Sequence, residues 1–174
     1  LEDLIAMVAL YRPGPMELIP RYIARKHGQE PIVYLHEKLK PILESTYGVI
    51  TYQEQLMQIA QELAGFSLGE ADFIRKAVGK KIKKLLDEQT QKFIDGVTRT
   101  MGSQKLGEDL WALVEPFARY GFNKAHSTGY ALVAYQTAWL KTHYPIEFFA
   151  SILNAEAKNV DRMSFLIAEA KREE

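Results

Sequence analysis

A run of basic residues in the middle of the chain is the first feature that could carry chemistry. The segment RKAVGKKIKK, residues 75–84, holds six cations and no acid: Arg75, Lys76, Lys80, Lys81, Lys83 and Lys84. Gly79 lets the backbone reverse, so two helix ends can present cations to one anion. Arginine offers phosphate a bidentate fork and lysine a point charge. The alternative is a solvated basic face whose lysine stems cover apolar surface, and the run alone does not decide between them.

A second candidate is the segment YGFNKAHSTGYALVAYQTAWLK, residues 120–141. Helical spacing places small and polar residues on one face: Lys124, Ser127, Ala131, Tyr135 and Ala138. A base or sugar could approach such a face closely, and Tyr135 or Tyr130 could stack on a base. Tight helix–helix packing explains the small residues equally well. His126 is interpreted as a capping or core residue, and Trp111 and Trp139 are expected in the core.

The residue types needed for a self-sufficient active site are not clustered in this sequence. Its six aspartates are scattered, without an Asp-x-Asp pair, and its four histidines lack metal-ligand spacing. The segment GFSLGEA lacks the lysine of a phosphate-binding loop. We therefore predict no catalytic residue and no metal ligand within this chain.

Composition sets broader limits on what the chain can be. Its 174 residues are 47% hydrophobic and 25% charged, with net charge zero, so a real core can form. Without cysteine there are no disulfides or thiolate zinc sites, which fits a reducing compartment. No leader peptide and no membrane-spanning run is visible. Both ends have helical character, so we expect a fragment of a longer protein.

Apolar periodicity is helical almost throughout and predicts one compact all-α unit. The exception is GVITY, residues 48–52, a short extended or strand segment for which no partner strand is evident. Gly65 is expected to end one helix, and the capping box Ser67-x-x-Glu70 to begin the next. Asn159 is a candidate N-cap for the last helix. Helices are predicted at 1–11, 16–27, 36–43, 53–64, 67–79, 81–101, 108–120, 125–144 and 145–157, and after Asn159.

Four segments in this order resemble the fingers of the alpha subunits of bacterial DNA polymerase III, the C-family replicases. They are ALYRPGPM, GVITYQEQLM, DFIRKAVGKK and YGFNKAHSTGYALVAYQTAWLKTHYPIEF. The resemblance spans residues 1–174 and implies a fingers domain without the PHP, palm, clamp-binding and OB-type domains. In this family the palm aspartates hold two Mg²⁺ ions, so the resemblance places the metal ions outside this chain.

The resemblance also implies roles for particular residues. Arg75 and Lys76 would reach the triphosphate of the incoming dNTP, with Lys80 and Lys81 close by. Here Lys76 stands where the family often has a second arginine, so its charge is kept but its fork is lost. Beside the nucleotide pocket the implied set is Asn123, Lys124, His126 and Ser127. Tyr130 and Tyr135 would lie on the side of the base pair and template.

These implications define one expected function and its rivals. The parent would be a cytoplasmic bacterial DNA-directed DNA polymerase, with dNTP, primer-template DNA, its own palm domain and, through absent domains, replisome subunits as partners. One rival is a helical interaction domain whose basic turn binds an acidic partner surface. The other is a helix-turn-helix DNA binder, against which stand the zero net charge and the lack of a basic recognition helix.

Overall fold

The described residues are helical nearly from end to end, as the apolar periodicity predicts. The computed structural model describes residues 1–79, 83–118 and 121–172. Ten α-helices occur in these ranges: α1 Glu2–Leu10, α2 Ile19–Lys26, α3 Lys40–Leu43, α4 Gln53–Ala64, α5 Leu68–Gly79, α6 Lys83–Met101, α7 Gln104–Ala118, α8 Lys124–His143, α9 Pro145–Ala155 and α10 Val160–Ala170. Short 3₁₀ helices at Pro15–Leu18, Glu37–Leu39 and Glu44–Thr46 connect the first four. The all-α prediction is confirmed.

The chain divides into two compact units, a first unit over Glu2–Thr128 and a second over Gly129–Glu174. In the first unit α4, α6 and α7 pack together, with α5 against all three. Phe93 of α6 is fully buried, and its ring centroid lies 5.4 Å from that of Trp111 and 6.2 Å from that of Phe66. The core position predicted for Trp111 is confirmed.

Two glycines allow the central helices to approach closely. A Cβ atom at Gly96 of α6 would lie 2.5 Å from the carbonyl oxygen of Ala64, at the end of α4. A Cβ atom at Gly107 of α7 would lie 3.1 Å from the Ile94 backbone of α6. Both helices therefore contact their neighbours through backbone, and any larger residue would force them apart.

Several predicted helix boundaries are confirmed. Gly65 adopts the left-handed conformation after α4. At the start of α5, Ser67 Oγ accepts from the backbone N–H of Glu70 at 3.4 Å, and Glu70 Oε2 accepts from the backbone N–H of Ser67 at 2.9 Å. Asn159 caps α10 by accepting from the backbone N–H of Arg162. The helix predicted over 16–27 is instead a 3₁₀ turn followed by α2, because Pro20 is accommodated only in a first helical turn.

The segment after Gly48 is extended, as predicted, and it has one β-bridge partner far along the chain. Tyr52 forms an isolated parallel bridge with Phe122. A buried glutamine fixes the extended backbone: Gln55 Oε1 accepts from the N–H groups of Thr51 at 2.8 Å and Tyr52 at 3.0 Å. The Gln55 amide donates in turn to Thr46 Oγ1 at 2.8 Å.

The second unit contains most of α8 together with α9 and α10, which pack against each other. Lys141 of α8 forms an ion pair with Glu169 of α10 at 2.8 Å and lies 5.8 Å from the ring centroid of Phe149. The expected core position of Trp139 is wrong. This residue is 44% exposed, and its indole contacts the rings of His143, the last residue of α8, and of Tyr144, which follows it.

No helix in the described part of the chain combines the length and the apolar character needed to cross a membrane.

The close approach at Gly96 gives a stability prediction. Gly96→Ala should lower the free energy of unfolding by ~1–3 kcal/mol, since the new methyl group meets backbone that cannot rotate away. Gly69→Ala is the matched control: Gly69 is also helical, but a Cβ there meets nothing within 4 Å. Urea unfolding of the two variants measures the difference, and equal stability would contradict the packing described.

The capping box at α5 predicts a pH dependence. The hydrogen bond from Lys92, then those from Ser67, lower the pKa of Glu70 from 4.5 to about 2. Because the pKa of Glu70 is lower in the folded state than in the unfolded state, ionised Glu70 stabilises the fold at pH values above its unfolded-state pKa. This stabilisation is lost as the pH falls from about 4.5 towards about 2.

Glu70→Gln should therefore be less stable than the wild type at neutral pH, and the difference should shrink over this acid range. Melting temperatures measured against pH test the prediction. Glu62→Gln, at an exposed glutamate of α4, controls for the loss of one charge. A constant Glu70→Gln deficit across the whole range would show that ionisation of Glu70 does not contribute.

Candidate functional site

Asn123 sets the start of α8, where most of the predicted site residues lie. Its Oδ1 accepts a hydrogen bond from the backbone N–H of His126 at 2.8 Å. This is the N-cap arrangement, in which a short side chain satisfies an N–H group that the helix leaves unpaired. Asn123 therefore fixes where the helix begins and which residue, Lys124, occupies its first position.

The backbone just before α8 is held by the extended segment before α4. The N–H of Phe122 donates to the Thr51 carbonyl at 3.3 Å, and the Phe122 carbonyl accepts from the N–H of Gln53 at 2.9 Å. The side-chain amide of Gln53 donates to the carbonyl of Gly121, also at 2.9 Å. The approach of Gln53 leaves little room at Gly121, where a Cβ atom would lie 3.3 Å from Gln53 Cγ and 3.1 Å from the Phe117 carbonyl oxygen.

Glu54 extends this contact to the first residues of α8. Both of its carboxylate oxygens accept from the backbone N–H of Lys124 at 3.0 Å, and Oε1 also accepts from Asn123 Nδ2 at 3.1 Å. Glu54 itself lies in the first turn of α4. One carboxylate thus lies at the positive ends of two helices, where negative charge is favourable.

Lys124 is consequently fixed through its backbone on both sides. Its N–H is held by Glu54, and its carbonyl accepts from Ser127 Oγ at 3.1 Å and Thr128 Oγ1 at 2.7 Å. Its side chain is 39% exposed, and its ammonium lies 3.9 Å from Glu2 Oε2, too far for a hydrogen bond. The ammonium also lies 5.3 Å from the ring centroid of Tyr52. The ammonium of Lys124 is therefore on a fixed backbone and remains accessible.

The tyrosine whose ring faces the Lys124 ammonium is buried. Tyr52 is 1% exposed, and its hydroxyl has no hydrogen-bond partner in the described part of the chain. Burial raises the pKa of Tyr52, and the nearby carboxylates of Glu2 and Glu54 raise it further. The phenol therefore stays neutral, and its ring presents an attractive face to the Lys124 ammonium.

A second cation, that of Arg12, lies over the ring of Phe122, the β-bridge partner of Tyr52. The Arg12 guanidinium is 4.2 Å from the ring centroid of Phe122, and its Nε donates to the Ala9 carbonyl at 3.1 Å. Burial lowers the pKa of Arg12, but arginine remains protonated at physiological pH. The ring of His126 lies 5.4 Å from that of Phe122. His126 is exposed rather than a core residue, because it lies in the first turn of α8.

The rest of the face predicted on α8 is partly buried. Ser127 and Ala131 are fully buried, so the packing interpretation holds for these two. The Ser127 hydroxyl is bonded to the Lys124 carbonyl, and in this structure it is not accessible to a ligand. Further along α8, in the second unit, Tyr130 is 62% and Tyr135 50% exposed.

The basic turn is described only in part. Lys80, Lys81 and the side chain of Arg75 lie outside the described residues. Lys76 is described: it is exposed on α5, and its ammonium lies 2.6 Å from Asp72 Oδ2, one helical turn earlier. Exposed pairs at this spacing contribute only a few tenths of a kcal/mol, so Lys76 can exchange its partner for another anion.

Sequence reasoning missed four residues of this site: Arg12, Tyr52, Gln53 and Glu54. Glu54 and Lys124 are 70 positions apart, and no local pattern connects residues at such a distance. The extended character of 48–52 was the one available signal, since a short segment with exposed backbone groups needs a partner somewhere.

The described site residues do not line the apolar groove of the first unit, and they form no metal cluster. A groove of about 460 Å³ in the first unit is lined mainly by apolar residues from 33–50 and from α7, and by none of the predicted site residues. Both of its arginines are paired with Glu30: Arg25 at 2.9 Å, with a further bond to the Gly48 carbonyl at 3.3 Å, and Arg21 at 3.6 Å. Across the described ranges, no three His, Asp or Glu side chains converge on a possible metal site.

Comparison with known proteins identifies the family. The profile of the bacterial DNA polymerase III alpha subunit finger domain matches residues 1–101. The chain belongs to this family. Similar full-length proteins include DNA polymerase III subunit alpha of Rickettsia felis, 53% identical over 98% of this chain. The subunits of Bacillus subtilis and Thermus aquaticus are 49% and 48% identical, each over 98% of this chain.

The chain spans only a small part of the length of these relatives. The chain covers 14% of the Rickettsia felis subunit, 15% of the Bacillus subtilis subunit and 14% of the Thermus aquaticus subunit. The family profile includes α1 to α6, and thus Glu54 and the basic turn, while α8 is included in the similarity to whole subunits. The resemblance found in the four sequence segments is confirmed.

Proposed function

We propose that the chain forms the fingers of a replicative DNA-directed DNA polymerase and contacts the triphosphate of the incoming dNTP and the nascent base pair. The supporting observation is Lys124, whose backbone is fixed on both sides while its ammonium remains accessible. Negative charge develops on the leaving pyrophosphate during phosphoryl transfer. A cation already in position stabilises that charge without reorganisation.

The other site residues have complementary roles in this proposal. Asn123 fixes the start of α8, and His126 in the first turn is exposed for a polar contact. Arg75, Lys76, Lys80 and Lys81 supply a second group of cations for the triphosphate. Tyr130 and Tyr135, exposed on α8, stack beside the base pair. Ser127 supports the Lys124 carbonyl and does not contact the nucleotide directly.

Metal chemistry belongs elsewhere in the proposed parent enzyme. The described residues do not fit a Mg²⁺ site, because no three potential ligand side chains converge among them. We assign the two Mg²⁺ ions to a palm domain of the same chain, and clamp and replisome contacts to further domains. The enzyme would act in the bacterial cytoplasm on primer-template DNA.

This division of labour predicts that the 174-residue chain alone is inactive. Primer extension with Mg²⁺ and all four dNTPs should give no product, and labelled DNA should not be degraded, because the proposal assigns the metal-binding carboxylates to another domain. The full-length polymerase is the positive control. Template-dependent product from the purified chain would overturn the assignment.

The role of Lys124 is tested in the full-length polymerase. Lys124→Ala should lower kcat/KM for dNTP by roughly 10- to 150-fold, corresponding to the loss of a charge-assisted contact of about 1.5–3 kcal/mol. The affinity for primer-template should change little, because many other phosphate contacts hold the duplex. Single-turnover kinetics, DNA titration and melting temperature are measured on the same preparation.

The outcome also separates this function from its main rival. Normal kcat/KM with a lowered melting temperature would mean that Lys124 only supports the helix. If the chain were instead an interaction domain, nucleotide would bind no better than any other polyanion, and Lys124→Ala would leave polymerase kinetics unchanged.

A further inference from the structure

Glu54 is the residue on which the position of Lys124 most directly depends. Its two oxygens make three hydrogen bonds to the start of α8, all between 3.0 and 3.1 Å. Its place in the first turn of α4 is fixed in turn by Gln55, which is 4% exposed and holds the preceding backbone. A rigid element therefore holds this carboxylate in place.

The carboxylate also decides how the start of α8 can bind an anion. Free N–H groups at a helix N-terminus commonly bind phosphate. Here the first N–H of α8, that of Lys124, is occupied by both oxygens of Glu54, and the N–H of His126 is occupied by Asn123. A ligand phosphate would have to displace a carboxylate to use the Lys124 N–H. The ammonium of Lys124 is accessible without such an exchange.

We propose that Glu54 is a positioning residue for the polymerase reaction: it binds the side-chain amide of Asn123 and the backbone N–H of Lys124 so that the Lys124 ammonium, rather than the helix N-terminus, meets the triphosphate. The inference rests on the proposed function of Lys124. Glu54 touches neither the substrate nor the reacting atoms, and its effect on the reaction passes through Lys124.

A double-mutant cycle in the full-length polymerase tests this. Glu54→Ala should reduce kcat/KM for dNTP by roughly 10- to 100-fold, the effect expected when a catalytic group is displaced by about 1 Å. In a Lys124→Ala background the same substitution should change kcat/KM by less than about threefold, because the group that it positions is gone. The Kd for primer-template should stay unchanged in all variants.

Two further variants separate positioning from simple support of the fold. Glu54→Gln keeps one acceptor for the Lys124 N–H, so its kcat/KM should be intermediate between those of Glu54→Ala and the wild type. If Glu54→Ala folds poorly, Glu54→Gln takes its place in the double-mutant cycle. Glu62→Ala removes an exposed glutamate from the same helix and should leave kcat/KM unchanged. Melting temperatures establish that each variant is folded.

The kinetics of these variants distinguish the positioning role of Glu54 from the proposed function of Lys124. If Glu54→Ala and Glu54→Gln are folded and fully active while Lys124→Ala is impaired, the positioning role is wrong and the proposed function of Lys124 stands. Equal losses from Glu54→Ala with and without Lys124 would also overturn the positioning role. If Lys124→Ala is itself fully active, the proposed function fails, and this inference fails with it.

Discussion

The hydrogen bonds between the start of α4 and the start of α8 are the interaction on which the site depends. Gly121–Asn123 contains no helix and only one bridge residue, so contacts with 51–54 determine its backbone geometry. Thr51, Gln53 and Glu54 between them satisfy backbone groups at 121, 122 and 124. Without these contacts, polar backbone next to a buried tyrosine would be unpaired, at a cost of about 1–3 kcal/mol for each group.

The hydrogen bonds between α4 and α8 depend in turn on the buried polar network around Gln55 and on the apolar packing of α4 against its neighbours. Gln55 uses its carbonyl oxygen for two backbone N–H groups and its amide for Thr46 Oγ1 and the Ile42 carbonyl. A buried network that is satisfied in this way specifies one backbone arrangement, because any other leaves a polar group unpaired. The apolar side of α4 packs on α6 and α7, and Gly96 and Gly107 allow the close contacts with α6. Packing thus places α4, and α4 places Glu54.

The sequence predicted local features well and distant ones poorly. Helix positions followed from apolar periodicity, and the boundaries at Gly65, Ser67 and Asn159 followed from capping chemistry that operates within a few residues. A large apolar side chain such as that of Trp139 is expected in the core, yet this one is 44% exposed and its indole contacts the rings of His143 and Tyr144. Glu54 could not be found from local pattern, because its function is defined by residues 69 and 70 positions away.

The way in which Glu54 is used explains how an acidic residue can support a cationic site. If its carboxylate bound the Lys124 ammonium, the two charges would neutralise each other and a phosphate would meet a satisfied ion pair. The carboxylate binds the Lys124 N–H instead, where it compensates the partial positive charge of a helix end. The ammonium then faces the exposed carboxylate of Glu2 at 3.9 Å, a weak surface interaction, and the ring of Tyr52. Under the proposed function, negative charge is thereby used for structure while positive charge is kept for the nucleotide, although the chain as a whole has no net charge.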